Sequence, residues 1–364
     1  MAKSEGNFIM LQEAIVGHRW LEMDGKEMLV GWTADCTRLA LAAAGDGLDD
    51  ANFSCETADK SILRLTTELE WTEEMLGEMA KPAGSSAVVT AGEQLSFWDK
   101  AFEAQMDLGV INTQKAYEAM RYRDVAKYGY YDWLAARDTY RDCCVKVGCP
   151  MNARLVRRFI EQGALIISPV LTFFAEHVWC SMLGHQGSIK HARWPEVSAP
   201  DMSLVRAAAF IHNTVRFARL KVIDDAKKRL KKGDKSKATS ITIGVSNEYP
   251  EYHQRVLRFL ADKAQGMAFP DDIMAQAQKF CTDDAVCKPN MSKALKHVAI
   301  AVARIADEQS LEALELHVPF DQCAILEAQR DFVTKAIELD AFRIVLATAE
   351  TDTAIPGLPQ YSVP

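Results

Sequence analysis

The chain has 364 residues, is 49% apolar and 25% charged, and carries a formal net charge of −8. That length allows two or three small domains, and a 9% aromatic content argues against disorder along most of the chain. No stretch reaches the roughly 18 uninterrupted apolar residues of a membrane span, and the first residues lack an apolar signal core or an Arg-rich leader, so a soluble intracellular chain is expected.

In chain order, residues 1–55 read as a loop-rich lead-in, with turns marked by Asp46-Gly47, Asp49-Asp50 and Asn52. Ile62, Leu65, Leu69 and Leu76 fall at helical spacing, and the segment from Pro82 to Ser86 breaks that pattern. Further helices are predicted over Leu95 to Leu108, over Lys115 to Cys143, and from Asn152 through Leu155, Phe159 and Ile166. Ser168-Pro169 reads as an N-cap followed by Pro at the first helical position, opening a helix that buries Val170, Phe173, Phe174 and Val178 and ends near Gly184. Helices of this length with short connections predict an antiparallel bundle. Tyr130 and Trp133 are expected in its core, since large aromatics supply much of core burial; Tyr122, Tyr128 and Tyr131 could instead stack on unpaired bases. His177 is expected to be a buried, satisfied histidine, and His185 and His191 to flank a turn without partners.

The character changes after about Pro200. A helix from Ser203 to Leu230 ends in Lys227-Lys228-Arg229-Leu230-Lys231-Lys232 and runs on into Gly233-Asp234-Lys235-Ser236-Lys237. Ile241, Ile243 and Val245 alternate as in a strand. Helices are predicted at 251–264, 291–306 and near 323–338, and a strand at Phe342 to Leu346; Leu314, Leu316 and Val318 alternate again. The tail from Glu350 to Pro364, rich in Thr and Pro, is expected to be disordered.

Charge is unevenly spread. Residues 1–100 hold 8 Lys/Arg against 18 Asp/Glu, and residues 203–237 hold 11 against 3. A cationic segment in an acidic chain is a candidate anion or nucleic-acid contact. The bland alternative is a solvated helix end, where cations also complement the helix dipole. The nine cysteines show no CxxC spacing, and Cys143, Cys144 and Cys149 have no histidine nearby in sequence. Reduced thiols in a cytosolic setting are expected, with no metal site; Cys143 and Cys144 are packing residues or reactive surface thiols.

The first residues and the segment after them carry a resemblance. Met1-Ala2-Lys3-Ser4-Glu5-Gly6-Asn7-Phe8 resembles the KMSKS loop of class I aminoacyl-tRNA synthetases. Thr33-Ala34-Asp35-Cys36-Thr37-Arg38-Leu39-Ala40-Leu41-Ala42-Ala43-Ala44-Gly45-Asp46, continued by Leu48-Asp49-Asp50-Ala51-Asn52-Phe53, resembles the ADxxRLALAxAGD segment of leucyl-tRNA synthetases of the eukaryotic cytosolic and archaeal type. Asn112 to Trp133 is similar to that family's anticodon-binding helix, and Leu155 to Trp179 to the hairpin after it. Ser188-Ile189 to Trp194-Pro195 fits the end of the bundle, and the basic helix with Asn247-Glu248-Tyr249-Pro250 fits the start of the C-terminal region.

The resemblance implies a mainly α fold: an antiparallel helical bundle, the anticodon-binding domain, followed by a small α/β C-terminal domain. The expected divisions are 1–58 (loop remnant and connector), 59–199 (helical domain), 200–349 (basic helix and α/β domain) and 350–364 (tail). The implied activity is ATP-dependent leucylation of tRNA-Leu through leucyl-adenylate, with Mg2+. Lys3 would bind ATP and stabilise charge on the departing pyrophosphate, and Ser4 would support the loop. Arg38 would contact the tRNA or pair with Asp35 or Asp46. Lys227, Lys228, Arg229, Lys231, Lys232, Lys235 and Lys237 would contact tRNA phosphates.

The chain departs from the family pattern. The leading Lys of KMSKS is absent, and Ala2 stands at the usual first Ser. Gly17 to Gly31 reads as an insertion. No Rossmann strand–helix alternation with a glycine-rich turn and no HIGH-type motif is present. The expectation is therefore a C-terminal portion that is inactive alone, partnered by a catalytic-half chain or other synthetases; a non-catalytic tRNA-binding or protein-interaction module is the alternative.

Overall fold

The computed structural model describes residues 10–17, 19–23, 26–47, 53–81, 88–89, 95–234, 236–308, 310–347 and 354–364. Two compact units divide between Val205 and Arg206. The expected break at Pro82 to Ser86 lies outside the described residues.

The lead-in is more regular than its turn residues suggest. It holds α1 (Leu11–Val16), an antiparallel hairpin of β1 (Arg19–Met23) and β2 (Lys26–Val30), and α2 (Thr33–Ala44). The segment read as an insertion is therefore a hairpin. Its base is tied to α1 by the Trp32 amide, which donates to Ala14 O at 2.8 Å. The small, apolar run Leu39-Ala40-Leu41-Ala42 favours helix, and α2 buries Leu39, Ala40 and Ala42.

The bundle follows: α3 (Cys55–Met79), the short strand β3 (Val88–Val89), α4 (Phe97–Glu118), α5 (Tyr122–Ala126), α6 (Asp132–Val147), β4 (Met151–Asn152), α7 (Ala153–Ile167) and α8 (Thr172–Glu176). Local chemistry sets their ends. Ser54 Oγ accepts from the Thr57 amide. Ser96 and Asp99 form a reciprocal capping box at 2.9 and 3.1 Å. Asn152 Oδ1 accepts from the Arg154 amide at 3.0 Å, and Gly148, at φ +80°, closes α6. The helix expected over Lys115 to Cys143 is interrupted: Met120 adopts φ +56°, and α5 passes into α6 through a π turn at Lys127–Tyr131. Such single π turns recur at functional sites. A second one, His177–Met182, extends α8.

Trp133 centres the packing, as expected. It stacks on Phe159 with centroids 5.3 Å apart and lies between Gly109 of α4 and Gly163 of α7. A Cβ at Gly163 would come within 2.6 Å of the indole nitrogen, and one at Gly109 within 2.9 Å of the ring. Tyr140 stacks on Phe102 at 4.4 Å. One ion pair is built into this unit: Arg137 of α6 meets Glu68 of α3 through both guanidinium nitrogens and lies 4.3 Å from the Trp71 ring centroid.

The second unit contains most of α9 (Met202–Lys231) and a three-stranded sheet, with β5 (Ser240–Val245) at its centre. Helices α10 (Glu251–Lys263), α11 (Ile273–Asp283), α12 (Met291–Glu308), α13 (Gln322–Ala328) and α14 (Arg330–Ile337) lead to β6 (Ala341–Leu346), which pairs parallel to β5 from Ser240↔Ala341 to Val245↔Leu346. The alternating Ile241, Ile243 and Val245 are all buried, as period-two patterning requires. Leu314, Leu316 and Val318 form no strand; Leu311–Leu314 is a 3-10 turn capped by Ser310, so three alternating residues after a capped turn do not suffice. The expectation of a disordered tail is also corrected: β7 (Gln360–Ser362) pairs antiparallel to β5, satisfying the backbone edge that β6 leaves open. Helix α11 has no counterpart in the sequence reading.

On α10, His253 is buried and stacks on His297 of α12 at 3.9 Å, with Tyr249 4.4 Å away. Burial first, and the neighbouring His297 second, push the His253 imidazole down to about 3. The folded form resists the proton that the unfolded chain accepts near pH 6.5. The His253 contribution to stability is therefore constant above about pH 7 and falls as the pH drops through the unfolded value. The second unit should lose about 2 kcal/mol between pH 7 and pH 5, and His253→Gln should flatten that slope. Urea unfolding followed by hydrogen exchange at both pH values reads this; an unchanged slope in the variant would assign the pH dependence to other groups.

Candidate nucleic-acid interface

The basic run lies at the free end of α9. Ala207, Ala208, Phe210, Ile211, Thr214, Val215 and Ala218 bury one face of this helix, and no residue from Arg219 to Lys231 is buried. These last turns of the helix are a mixture of exposed and half-buried residues, with Arg219 paired to Glu338 at 2.7 Å, and the chain turns at Gly233 with φ +79°. Cations are concentrated where the helix dipole is negative, which stabilises them there.

Two of these cations are already neutralised. Lys228 Nζ lies 2.7 Å from Asp224, and Arg229 Nε lies 2.5 Å from Asp225. Arg229 also reaches Ser236 Oγ at 3.2 Å and donates to the Pro364 carbonyl. The Asp224 carboxylate is held below its usual range by Lys228, and the ammonium above its own. Lys227, Lys231, Lys232 and Lys237 are exposed, and no ion pair among the described residues engages them. Lys235 lies outside the described residues. The structure thus separates the run into lysines open to an anion and a pair, Lys228 and Arg229, held by aspartates.

Lys3 and Ser4 lie outside the described residues. Arg38 is placed, and it is engaged. Its guanidinium pairs with Asp35, donates to the Val170 carbonyl at 2.8 Å and lies 5.9 Å from the Phe173 ring centroid. Asp35 in turn accepts from the amides of Phe173 and Phe174, at 3.3 and 2.7 Å. The Ser168-Pro169 cap is corrected accordingly: α8 begins at Thr172, and its cap comes from α2, 137 residues upstream of Thr172. Asp46 does the same for α5, accepting from the amides of Tyr122 and Arg123 at 2.9 and 3.0 Å. Both aspartates of the ADxxRLALAxAGD match are thus helix caps supplied from a distance. Asp35→Ala should destabilise the helical unit by about 2 kcal/mol, the cost of a lost cap plus an unpaired arginine, with Asp46→Ala costing about 1 kcal/mol. Chemical denaturation of each variant checks this.

Other expectations are sorted by burial. Tyr130 and Trp133 are buried, Tyr128 and Tyr131 half-buried, and Tyr122 exposed. His177 is exposed rather than buried, because the π turn that starts there rotates it off the apolar face. His185 has partners after all: it stacks on Trp179 at 3.8 Å, with Nε2 3.1 Å from Glu161. Cys143 and Cys144 are buried, and burial pushes both thiols up, Cys144 to about 12, which makes them packing residues. All nine cysteines are free, and no group of three or more His, Cys, Asp or Glu that could hold a metal occurs among the described residues. Sequence reasoning did not single out three further exposed cations, Arg157, Lys190 and Arg193.

Comparison with known proteins adds the following. The family described as anticodon-binding domain of tRNA ligase matches residues 99–243. A cytoplasmic leucine–tRNA ligase of Neurospora crassa is 31% identical over 363 residues, covering 97% of this chain and 30% of the relative. The cytoplasmic leucine–tRNA ligase of Dictyostelium discoideum is 31% identical over 372 residues, covering 99% of this chain and 32% of its own length. A leucine–tRNA ligase of Aeropyrum pernix is 30% identical over 207 residues, covering 56% of this chain and 18% of the relative. The chain spans about 30% of the length of the curated relatives it matches most extensively.

Proposed function

Because this chain belongs to the leucine–tRNA ligase family, we propose that it is the tRNA-holding portion of a cytoplasmic enzyme that joins leucine to tRNA-Leu. The observation that carries this reading is the match to cytoplasmic leucine–tRNA ligases along 97% of the chain, with the anticodon-binding match inside it. In the complete enzyme, ATP and Mg2+ would serve leucyl-adenylate formation, and Lys3 and Ser4 would belong to the loop that meets the ATP phosphates. The chain's own contribution is to hold RNA. The open lysines Lys227, Lys231, Lys232 and Lys237 take phosphates, with Lys228, Arg229 and Lys235 adding to the cationic end, because displaced counterions make such contacts the main source of affinity. Arg38, paired with Asp35 and bonded to the Val170 carbonyl, fixes the start of α8 within the helical unit.

A second reading, a tRNA-binding module without catalysis of its own, is favoured by one observation: the motif around Asp35, Arg38 and Asp46 serves helix capping. The two readings part in one assay. With leucine, ATP, Mg2+ and tRNA-Leu, the chain alone should bind tRNA and show no leucine-dependent ATP–pyrophosphate exchange; leucylation should appear when a catalytic-half chain is added. If leucylation does not return with that chain, the module reading stands. Exchange by the chain alone would contradict both.

A further inference from the structure

Seven cations, a single acid (Asp234) and a single hydroxyl residue (Ser236) occupy residues 227–237. Ser236 lies in the link between α9 and β5, in neither helix nor strand, and is exposed together with Lys237. Connecting segments of this kind run over the surface, where a modifying enzyme reaches them.

The Ser236 hydroxyl is already in contact with a cation. Arg229 Nη1 donates to Ser236 Oγ at 3.2 Å, and the guanidinium is anchored by Asp225, 2.5 Å from Nε. A phosphoryl group on that oxygen would meet the arginine directly, and guanidinium–phosphate pairs are among the stronger charge-assisted hydrogen bonds. Lysines stand on both sides in sequence: Lys231, Lys232 and Lys235 before, Lys237 after.

Two features act against a phosphate. Asp234 Oδ1 accepts from the Ser236 amide at 2.8 Å, and that amide and the Ser236 hydroxyl hold the Asp234 carboxyl below its usual range. The carbonyl end of α9 is also negative. Repulsion therefore opens the turn between Asp234 and Ser236, and the phosphate passes to Arg229. Phosphoserine carries about −1.5 to −2 charges at pH 7, so one modification offsets about two cations of the run and occupies Arg229.

We propose that Ser236 is a phosphorylation site, modified by an ATP-dependent kinase that selects lysine- and arginine-rich sequences, and that phosphoserine there weakens RNA binding by the cationic end of α9. This rests on the reading of that end as an RNA contact and adds its regulation. In the transfer, Ser236 Oγ bonds to the γ-phosphorus of ATP as the bond to the bridging β-phosphate oxygen breaks. ADP leaves, and the hydroxyl proton passes to the kinase's base.

Two measurements on the full chain test this. Incubated with ATP and a serine kinase of that basic-sequence class and mapped by mass spectrometry, the chain should carry phosphate at Ser236, and Ser236→Ala should lose it. Phosphate confined to other hydroxyls, the nearby Thr239 and Ser240 included, would overturn the site. The chain with phosphoserine installed at position 236 during synthesis should bind tRNA-Leu about tenfold more weakly near physiological salt, with the slope of log K against log salt lowered by about 1–2. If the unmodified chain binds and the phosphorylated chain keeps its affinity and slope, the regulation is overturned and the RNA-binding reading survives. If the unmodified chain binds no tRNA, the reading and its regulation fall together.

Discussion

Arg137→Ala is expected to cost the helical unit about 3–5 kcal/mol. The Arg137 side chain is 6% exposed and that of Glu68 11%. The guanidinium binds the carboxylate through two nitrogens and is covered by the Trp71 and Phe159 rings, 4.3 and 5.7 Å from their centroids. Deleting the arginine leaves Glu68 charged and largely buried, while Arg64, one turn earlier on α3, lies over the Tyr131 ring. Arg137→Lys should also be costly, since an ammonium cannot reproduce the forked pairing. The double variant Glu68→Leu/Arg137→Met should cost much less than Arg137→Ala, because it removes both charges together. The readout is convenient: all seven tryptophans precede residue 206, so urea unfolding by tryptophan fluorescence follows this unit alone. A loss below about 1 kcal/mol for Arg137→Ala would show that the pair behaves as a surface contact.

Neutralising the open lysines should have the largest effect on RNA binding. Lys227→Gln/Lys231→Gln/Lys232→Gln/Lys237→Gln is expected to lower the salt slope of tRNA binding by about 3–4 and the affinity near physiological salt by about 100-fold. Lys228→Gln/Arg229→Gln should do less per charge removed, because each of these cations already sits against an aspartate and releases fewer counterions when RNA arrives. The ordering of the two variants is what the structure adds to the charge count of the basic run. Equal effects per charge would mean that the aspartate pairs open when RNA binds.

How much of this was legible in the sequence depends on how local the cause is. Ser96 with Asp99, Asn152 before α7, and the Ile241-Ile243-Val245 alternation act over two to five residues, and each produced the element its pattern implies. The basic run was visible for the same reason. The start of α8 was misplaced because its cap is Asp35, far away in the chain, and a plausible local cap at Ser168-Pro169 was available. The long helix after Lys115 broke at Met120 and at a π turn, neither of which leaves a mark in apolar spacing. Strand β7 is three residues long and is created by its neighbour β5 rather than by its own composition. In contrast, the family resemblance read from residues 33–53 agreed with the comparisons, although the aspartates in that motif proved to be architectural.

The most direct test of the account is a titration of the unmodified chain with tRNA-Leu across a range of salt. The account predicts saturable binding whose log K falls linearly with log salt, with a slope of about 4 or more in magnitude, the share set by the four open lysines. Absence of tRNA binding at low salt, or binding indifferent to salt, would contradict it.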